Sequence, residues 1–413
     1  MVKTNLGNRK GCVNRDMEYV VIVGGGVANK GAQSMTFQII KEIRKHMPGK
    51  EVVVFCNSKT NDVPKMDLEY NVKVVPFDAK DILYFTGGIK KVASVLLGEK
   101  KERIKEIQEI LDNACLAFDI SGYSFSSEWS ALNSVKYLYR IQIMKKKKIP
   151  MIIMPQSFGP FHYAKFWKIY IKRLASGLLK YPMAIYAREE ESYKELTSQY
   201  KLDNLHLSVD MVLLGGEVNR DEIYKEKIQP KHFEILENSV GIIPNKKVLE
   251  HSKEEEIINL YKGIIDRLLQ IGRNIYIVQH STPDQEFCKK LKEIYKNHKK
   301  VYLIEEELDC LDYDELVAQF DYVVASRYHS IVHAYKQHIP CIAVGWSYKY
   351  QVLLKHFSQL DYLIDVKNMQ EECAIKCVDE MQEKYKREKE VIQSEMDTLR
   401  KEKFYDELFK LIG

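Results

Sequence analysis

An arginine and a histidine lie where an apolar run meets a helix-like segment near the end of the chain. The stretch consists of Ser326, Arg327, Tyr328, His329 and Ser330. In open α/β sheets, ligands bind at the carboxyl ends of strands, and a helix N-terminus there attracts anions. Arg327 would bind phosphate or carboxylate, His329 would exchange protons near neutral pH, and Ser326 and Ser330 would add hydroxyls. A capped helix with an internally paired arginine is the alternative.

Glycines and a lysine follow the first predicted strand, Tyr19–Val23. The segment Gly24–Ala32 fits neither familiar nucleotide loop. A GxGxxG fingerprint needs glycine where Asn29 stands, and a Walker loop needs serine or threonine after Lys30, where the chain has Gly31. The segment still offers flexible backbone, an amide and a cation at a helix start. We therefore expect these three residues to bind substrate; a glycine-rich turn required by packing is the alternative.

Polar residues follow five further predicted strands. They are Ser121, Gly122 and Tyr123; Gln156 and Ser157; Arg188; His280 and Asp284; and Trp346, Tyr348 and Lys349. The first group would form a substrate-facing wall, since the GxSxG elbow of a serine nucleophile is missing. Gln156 and Ser157 would hydrogen-bond a sugar or phosphate, and Arg188 would bind an anion or pair with the glutamates after it. His280 and Lys349 are additional candidates for binding substrate.

Composition limits the classes of function. The chain has 413 residues, of which 45% are hydrophobic, and a net charge of +5. This length favours two domains, and so mild a charge argues against nucleic-acid binding. No apolar run reaches the ~18 residues of a membrane span, although contact with the inner face of an anionic membrane stays open. Cysteines without CxxC pairs favour a cytoplasmic location, and no metal-ligand spacing is present.

Apolar strands and amphipathic helices alternate twice along the chain, and the pattern breaks at about residues 215–237. The sequence therefore predicts an α/β protein with two Rossmann-like parallel-sheet domains. We place them at residues 18–225 and 238–366, and we expect a charged helical extension at residues 367–413.

Taken in order, the motifs resemble those of the polysaccharide pyruvyl transferase family. The matching segments are 29–35, 119–123, 155–160, Arg188 with its acidic helix, 326–330 and 345–350. The resemblance covers about residues 20–365. It implies a GT-B-like fold, phosphoenolpyruvate as co-substrate without a further cofactor, and a pair of glycan hydroxyls as acceptor. The product would be a pyruvate ketal, with phosphate released.

The resemblance also implies roles for particular residues. Arg327 and His329 would lie in the donor site, and Arg188 would be a second anion ligand. The first domain would carry the acceptor side and part of the donor site, and the second domain would carry the donor site. Two other functions stay open, namely a GT-B nucleotide-sugar glycosyltransferase and a non-catalytic glycan-binding relative. The acceptor sugar, any lipid linkage of that acceptor and the oligomeric state are not predicted.

Overall fold

The computed structural model describes residues 18–27, 29–56, 69–87, 101–368 and 371–412. The chain divides into two compact units. The described residues of unit 1 fall within 1–28, 35–228 and 403–413, and those of unit 2 fall within 29–34 and 229–402. Each unit therefore combines segments that are far apart in the sequence.

Unit 1 contains a parallel sheet. Its strands are β1 (Tyr19–Val23), β2 (Glu51–Cys56), β3 (Lys73–Pro76), β4 (Ala114–Asp119), β5 (Met151–Gln156), β6 (Ala184–Ala187) and β7 (Leu205–Leu207). Among the described residues these seven strands have the order β3-β2-β1-β4-β5-β6-β7. Every residue of β1 and β4 is buried, as expected for a parallel sheet covered on both faces.

Helices lie between these strands and after the last of them. They are α1 (Lys30–His46), α2 (Ala79–Thr86), α3 (Lys101–Asp112), α4 (Ala131–Lys147), α5 (Lys165–Leu178), α6 (Glu190–Gln199), α7 (Met211–Leu214) and α8 (Arg220–Ile223). The first turn of α1, up to Ser34, groups with unit 2, and the rest of that helix groups with unit 1. Ser130 caps α4, since its side chain accepts a hydrogen bond from the backbone of Asn133.

Unit 2 repeats the same architecture. Its strands are β8 (Ser239–Ile243), β9 (Asn274–Val278), β10 (Val301–Ile304), β11 (Tyr322–Ala325), β12 (Cys341–Gly345) and β13 (Leu363–Asp365). Its helices are α9 (Glu254–Gln270), α10 (Gln285–Ile294), α11 (Cys310–Val317), α12 (Tyr328–Lys336), α13 (Tyr348–His356) and α14 (Glu371–Lys401). The six described strands are parallel, in the order β10-β9-β8-β11-β12-β13.

Both sheets reverse their strand order at one point, between β1 and β4 in unit 1 and between β8 and β11 in unit 2. This is the strand order of Rossmann-like domains, and it confirms the predicted fold class. Ligands of such sheets bind beyond the carboxyl ends of the strands at the reversal. The turns after β1, β4, β8 and β11 are therefore where ligand-binding side chains are expected.

The predicted C-terminal helix is present as α14, which packs within unit 2. Arg267 Nε on α9 donates to Asp379 Oδ1 at 2.6 Å, and Val378 is part of the unit 2 core. A last helix, α15 (Phe404–Ile412), packs within unit 1, where Tyr405 Oη donates to the carbonyl of Met211 at 3.0 Å. No helix in the described part of the chain is long and apolar enough to span a bilayer.

Candidate functional site

The carboxyl ends of β8 and β11 are joined by a hydrogen bond in unit 2. Asn245, just after β8, donates through Nδ2 to the carbonyl of Ser326 at 3.2 Å. Asn245 is buried, and our sequence analysis did not identify it. Its position two residues after an apolar strand was the signal that could have found it. This contact places the turn that begins with Ser326 at the strand-order reversal.

Arg327 precedes α12 and is held by a carboxylate. Its Nε and Nη2 donate to the two carboxylate oxygens of Asp284, at 2.5 and 2.7 Å. Asp284 is fully buried, whereas the arginine side chain is 20% exposed. Arg327 Nη1 has no hydrogen-bond partner among the described residues. An anionic ligand would therefore bind the remaining edge of the guanidinium or displace Asp284.

Gly31 and His329 are in direct contact, although almost 300 residues separate them. A Cβ atom built on Gly31 would lie 2.4 Å from Cγ and 2.5 Å from Nδ1 of the His329 ring. Such distances are far below van der Waals contact, so only glycine allows this ring position. The neighbouring Asn29 is exposed and caps α1, because its Oδ1 accepts from the backbone of Ala32 at 3.0 Å.

Lys30 and His280 are also brought together. Lys30 Nζ donates to the backbone carbonyl of His280 at 2.9 Å and lies 5.4 Å from the ring centroid of Tyr313. Burial lowers the pKa of Lys30 to about 8. Burial, reinforced by the charge of Lys30, holds the pKa of His280 well below its ordinary value. The pair therefore offers an ammonium that titrates near pH 8 beside a neutral imidazole.

A buried polar network fixes the first turn of α1 in unit 2, and our sequence analysis missed it. Nε2 of His333 lies 2.9 Å from Ser34 Oγ, and Nδ1 lies 2.5 Å from Asp314 Oδ1. Lys336 Nζ donates to Asp314 Oδ2 at 2.7 Å. Burial raises the pKa of Asp314, but the charges of Lys336 and His333 outweigh that effect and lower it to about 2.

A serine, a histidine and an aspartate in this order are also the components of a nucleophilic triad. Here, however, Ser34 Oγ donates to the carbonyl of Lys30 at 2.8 Å. A hydroxyl has one proton, so Ser34 accepts from His333 and does not give its proton to the ring. The network is therefore a clamp between α1, α11 and α12.

The other predicted residues of unit 2 are engaged within it. Ser326 Oγ accepts from Tyr261 Oη at 3.0 Å, and Ser330 Oγ donates to the carbonyl of Arg327 at 2.6 Å. Both serines are fully buried. Lys349 is half-buried in the first turn of α13, with Nζ 5.5 Å from the ring centroid of Tyr350. The two hydroxyls thus shape the turn before α12.

Three predicted residues meet at the carboxyl edge of the unit 1 sheet. Arg188 follows β6, and its Nε donates to Ser157 Oγ at 2.8 Å. Its backbone N–H donates to the carbonyl of Gln156 at 3.1 Å. The guanidinium is buried and pairs with the fully buried Asp210, at 3.1 Å from Nη1 to Oδ2. Arg188 is therefore bound by hydroxyl and carboxylate groups of its own unit.

Our sequence analysis did not identify a second arginine at this edge. Arg140 on α4 donates through Nη2 to Ser121 Oγ at 2.7 Å and lies 3.4 Å from Asp119 Oδ2. Gln156 Nε2 approaches Asp119 Oδ1 at 3.4 Å, and Gln156 Oε1 has no hydrogen-bond partner among the described residues. Arg140 lies in the interior of a helix. There the spacing of apolar residues predicts which side faces the core, but it does not single out a functional arginine.

The candidate residues at the carboxyl edges of both sheets lie in a part of the chain that one family model matches. The model of the family described as polysaccharide pyruvyl transferase matches residues 29–348, which is most of the chain. The chain belongs to the polysaccharide pyruvyl transferase family. The matched range of this pyruvyl transferase family member begins at Asn29 and includes Arg188, His280, Arg327 and His329. No curated protein matches the sequence.

Solved structures share the fold of this pyruvyl transferase family member. A putative UDP-N-acetylglucosamine 2-epimerase from Listeria monocytogenes matches with a TM-score of 0.56 at 11% identity, covering 91% of each chain. A UDP-GlcNAc 2-epimerase from Methanocaldococcus jannaschii gives 0.54 at 13%, covering 88% of this chain and 92% of that one. A glycosyltransferase from Rickettsia africae gives 0.55 at 10%, covering 96% and 99%. These likenesses establish a GT-B-like fold.

Proposed function

We propose that this protein transfers the enolpyruvyl group of phosphoenolpyruvate to a pair of glycan hydroxyls, forming a pyruvate ketal and releasing phosphate. Membership of the family supports a transferase that modifies glycans. The observation that carries the choice of donor is the cluster at the carboxyl edge of unit 2, where the Lys30–His280 contact and the Gly31–His329 contact accompany Arg327.

The charges of this cluster suit a small dianion. Phosphoenolpyruvate has a phosphate and a carboxylate attached to the same carbon, and each favours a forked guanidinium, an ammonium or a helix N-terminus. The N-terminus of α12 begins directly after Arg327. The buried carboxylate of Asp284 fixes the orientation of the guanidinium before any ligand binds, which reduces the cost of reorganisation.

We assign proton transfer to His329. In the proposed reaction, a proton is added to C3 of the enol, and one glycan hydroxyl forms a bond to C2 while losing its proton. The second hydroxyl then forms its bond to C2 and loses its proton as the bond between C2 and the phosphate oxygen breaks, and phosphate leaves with the electron pair and takes up that proton. Both sugar oxygens end on C2, and C3 becomes a methyl group. A positioned acid or base contributes about 10²–10⁴-fold to such steps.

In unit 1, we propose that Arg188, Ser157 and Gln156 bind substrate groups. Oε1 of the fully buried Gln156 is an acceptor suited to a sugar hydroxyl. Arg188 is already paired with Asp210, so its guanidinium has a fixed orientation for an anionic or hydroxyl group. Asn29, Lys30 and Lys349 complete the proposed set of binding residues.

The central experiment measures phosphate release from phosphoenolpyruvate across a library of glycan acceptors, with the products weighed by mass spectrometry. His329→Ala should lower kcat by about 10²–10⁴-fold without lowering the melting temperature. His232→Ala, at an exposed position, is the matched control and should retain full turnover. A His329→Ala enzyme with nearly normal turnover would remove this residue from the mechanism.

The competing functions are separated by ligand binding. Phosphoenolpyruvate at 100 times its Kd should stabilise the protein by about 2.7 kcal/mol, which thermal shift detects. Arg327→Lys retains the charge but loses the forked donors, so it should reduce that stabilisation. Stabilisation by UDP, GDP or ADP without any effect of phosphoenolpyruvate would instead favour a nucleotide-sugar glycosyltransferase. Glycan binding without phosphate release would favour a non-catalytic relative.

A further inference from the structure

One segment of unit 1 has basic residues but no acidic ones. Residues 129–188 contain twelve lysines and arginines and not one aspartate or glutamate, in a chain with 63 basic and 58 acidic residues. The segment's charge of +12 therefore exceeds the +5 of the whole chain. It includes α4 and α5. Arg140, Lys147 and Arg188 pair with carboxylates elsewhere in unit 1, so only the exposed basic residues of the segment are available to an anionic partner.

The same helices carry the most exposed of the large apolar side chains in the described part of the chain. Phe166 and Ile169 on α5 are 73% and 65% exposed, and Leu132 on α4 is 59% exposed. These are the three most exposed large hydrophobic residues in the described part of the chain. Single exposed apolar residues are common on protein surfaces, but a cluster of them marks a site of interaction.

Phe166, Ile169, Lys172 and Arg173 lie on one side of α5. Their spacing places all four within about a third of a helical turn around the axis. The opposite side of α5 packs into the unit 1 core through Ile171, and α4 lies alongside. We call the four residues, together with Lys165 and Lys168, the α5 face.

The basic residues of the α5 face are available to a partner. Lys165, Lys168, Lys172 and Arg173 are exposed, and none of them forms an ion pair with a carboxylate of the described residues. By contrast, Lys147 on α4 pairs with Asp112 at 2.5 Å. The charges of the α5 face are therefore not neutralised within the described part of unit 1.

We propose that the α5 face docks on the surface of a lipid bilayer that contains anionic headgroups. In this arrangement α5 lies in the plane of the interface, Phe166 and Ile169 enter the headgroup region, and the lysines contact lipid phosphates. A symmetric dimer through this face would oppose eight positive charges, which disfavours a second copy of the chain. A nucleic acid would match the charge but would leave the apolar side chains in water.

The test is flotation of the full-length protein with vesicles of phosphatidylcholine alone or mixed with phosphatidylglycerol. Binding is expected with the mixed vesicles, and it should weaken as salt is raised. Phe166→Ser/Ile169→Ser and Lys168→Glu/Lys172→Glu should each weaken binding by at least about tenfold. Exposed positions of unit 2 give matched controls, Leu236→Ser and Lys289→Glu/Lys299→Glu, which should bind like the unmodified protein. Circular dichroism and melting temperatures report whether each variant is folded.

Three results would overturn the proposal. The first is no binding to mixed vesicles, or binding that both α5 variants retain. The second is a dimer in analytical ultracentrifugation that Phe166→Ser/Ile169→Ser converts to a monomer without any vesicle binding. The third is binding of RNA or DNA that only the charge-reversal variant loses, again without vesicle binding. None of these depends on the donor substrate, so they are independent of the proposed pyruvyl transfer.

Discussion

The guanidinium of Arg327 and the ammonium of Lys30 are both restrained by groups of unit 2. Arg327 is bound by the carboxylate of Asp284, and Lys30 by the carbonyl of His280. Restrained cations lose little side-chain entropy when an anion binds, so they suit a small charged substrate. Burial of Lys30 lowers the stability of the folded protein, because it disfavours the charged form of this side chain.

Gly31→Ala tests the contact between the first turn of α1 and the His329 ring. The new Cβ would lie 2.4 Å from Cγ of His329, so the ring must move. Because a displacement of about 1 Å can lower catalysis by about 10²-fold, we expect kcat for phosphate release to fall by one to two orders of magnitude. Gly26→Ala is the control, since among the described residues no heavy atom other than those of its chain neighbours lies within 4 Å of a Cβ at that position. Equal activity of the two variants would show that the position of the ring is unimportant.

The low pKa of Lys30, about 8 against an ordinary 10.5, makes stability depend on pH. Between these two values the unfolded chain binds a proton that the folded protein does not, so the free energy of unfolding should rise as pH rises from about 8 to 10.5. The shift corresponds to about 3 kcal/mol at most. Urea unfolding of the unmodified protein and of Lys30→Met across this range measures it. The free energy of unfolding should rise less with pH in Lys30→Met than in the unmodified protein. An equal rise in both proteins would show that Lys30 does not cause the pH dependence.

Helix α1 begins in a turn that is fixed by hydrogen bonds to other helices. Besides the contact of Ser34 with His333, Gln33 Oε1 accepts from the backbone of Cys310 at 2.7 Å. The carboxylate of Asp314 holds the other side of His333. The network therefore positions Lys30 and Gly31 by way of helix packing, without requiring its own members to contact substrate.

Asp314→Asn should remove the acid sensitivity of this clamp. In the folded protein the pKa of Asp314 is about 2, below the ordinary 3.8 of the carboxyl group. Its ionised form therefore contributes stability above pH ~4, and this contribution is lost as pH falls towards 2. The difference is about 2 kcal/mol. Thermal unfolding between pH 5 and 2, compared with Asp312→Asn as a control on the same helix, measures the loss. Identical acid unfolding of Asp314→Asn and the unmodified protein would refute it.

At the scale of the whole molecule, the chain builds two Rossmann-like sheets and finishes each with a C-terminal helix. Helix α14 completes unit 2, and α15 completes unit 1. In α15, Phe409 stacks on His46 with ring centroids 4.6 Å apart and also contacts Phe118 of β4. The last helix is therefore part of the unit 1 core.

Phe409→Ala should test this dependence. Truncating a buried phenylalanine costs about 3–5 kcal/mol, so the free energy of unfolding should fall by roughly that amount. Lys410→Ala changes the next residue, whose side chain is 70% exposed, and should cost less than ~0.5 kcal/mol. Chemical unfolding monitored by circular dichroism gives both values. A loss below ~1 kcal/mol for Phe409→Ala would mean that α15 contributes little to unit 1.

Much of the fold followed from periodicity in the sequence. A parallel strand with both faces covered is a short, continuous apolar run, and Tyr322–Ala325 is such a run at β11. The ends of the strands followed less directly from the sequence. Strand β5 includes Pro155 and continues to Gln156, with a shift in its register against β6 because proline has no N–H to pair.

The candidate residues at strand ends were identifiable for the same reason. Arg327, His280 and Arg188 each follow a recognisable strand, so a location at the carboxyl edge of their own sheet was expected for each. Arg140 and His333 were not identifiable, because a helix interior shows only which face is buried. Nothing in the sequence distinguishes their partners, Asp119 and Asp314, from other acidic residues.

The sequence alone determined the order of strands and helices and the types of residue that follow each strand, because both depend on neighbours a few positions away. Only the tertiary structure decided which charges meet. Ser34 and His333 are separated by 299 positions, and Lys30 and His280 by 250, yet each pair lies within hydrogen-bonding distance. Contacts of this kind arise when distant segments pack together, and no local pattern of residues encodes them.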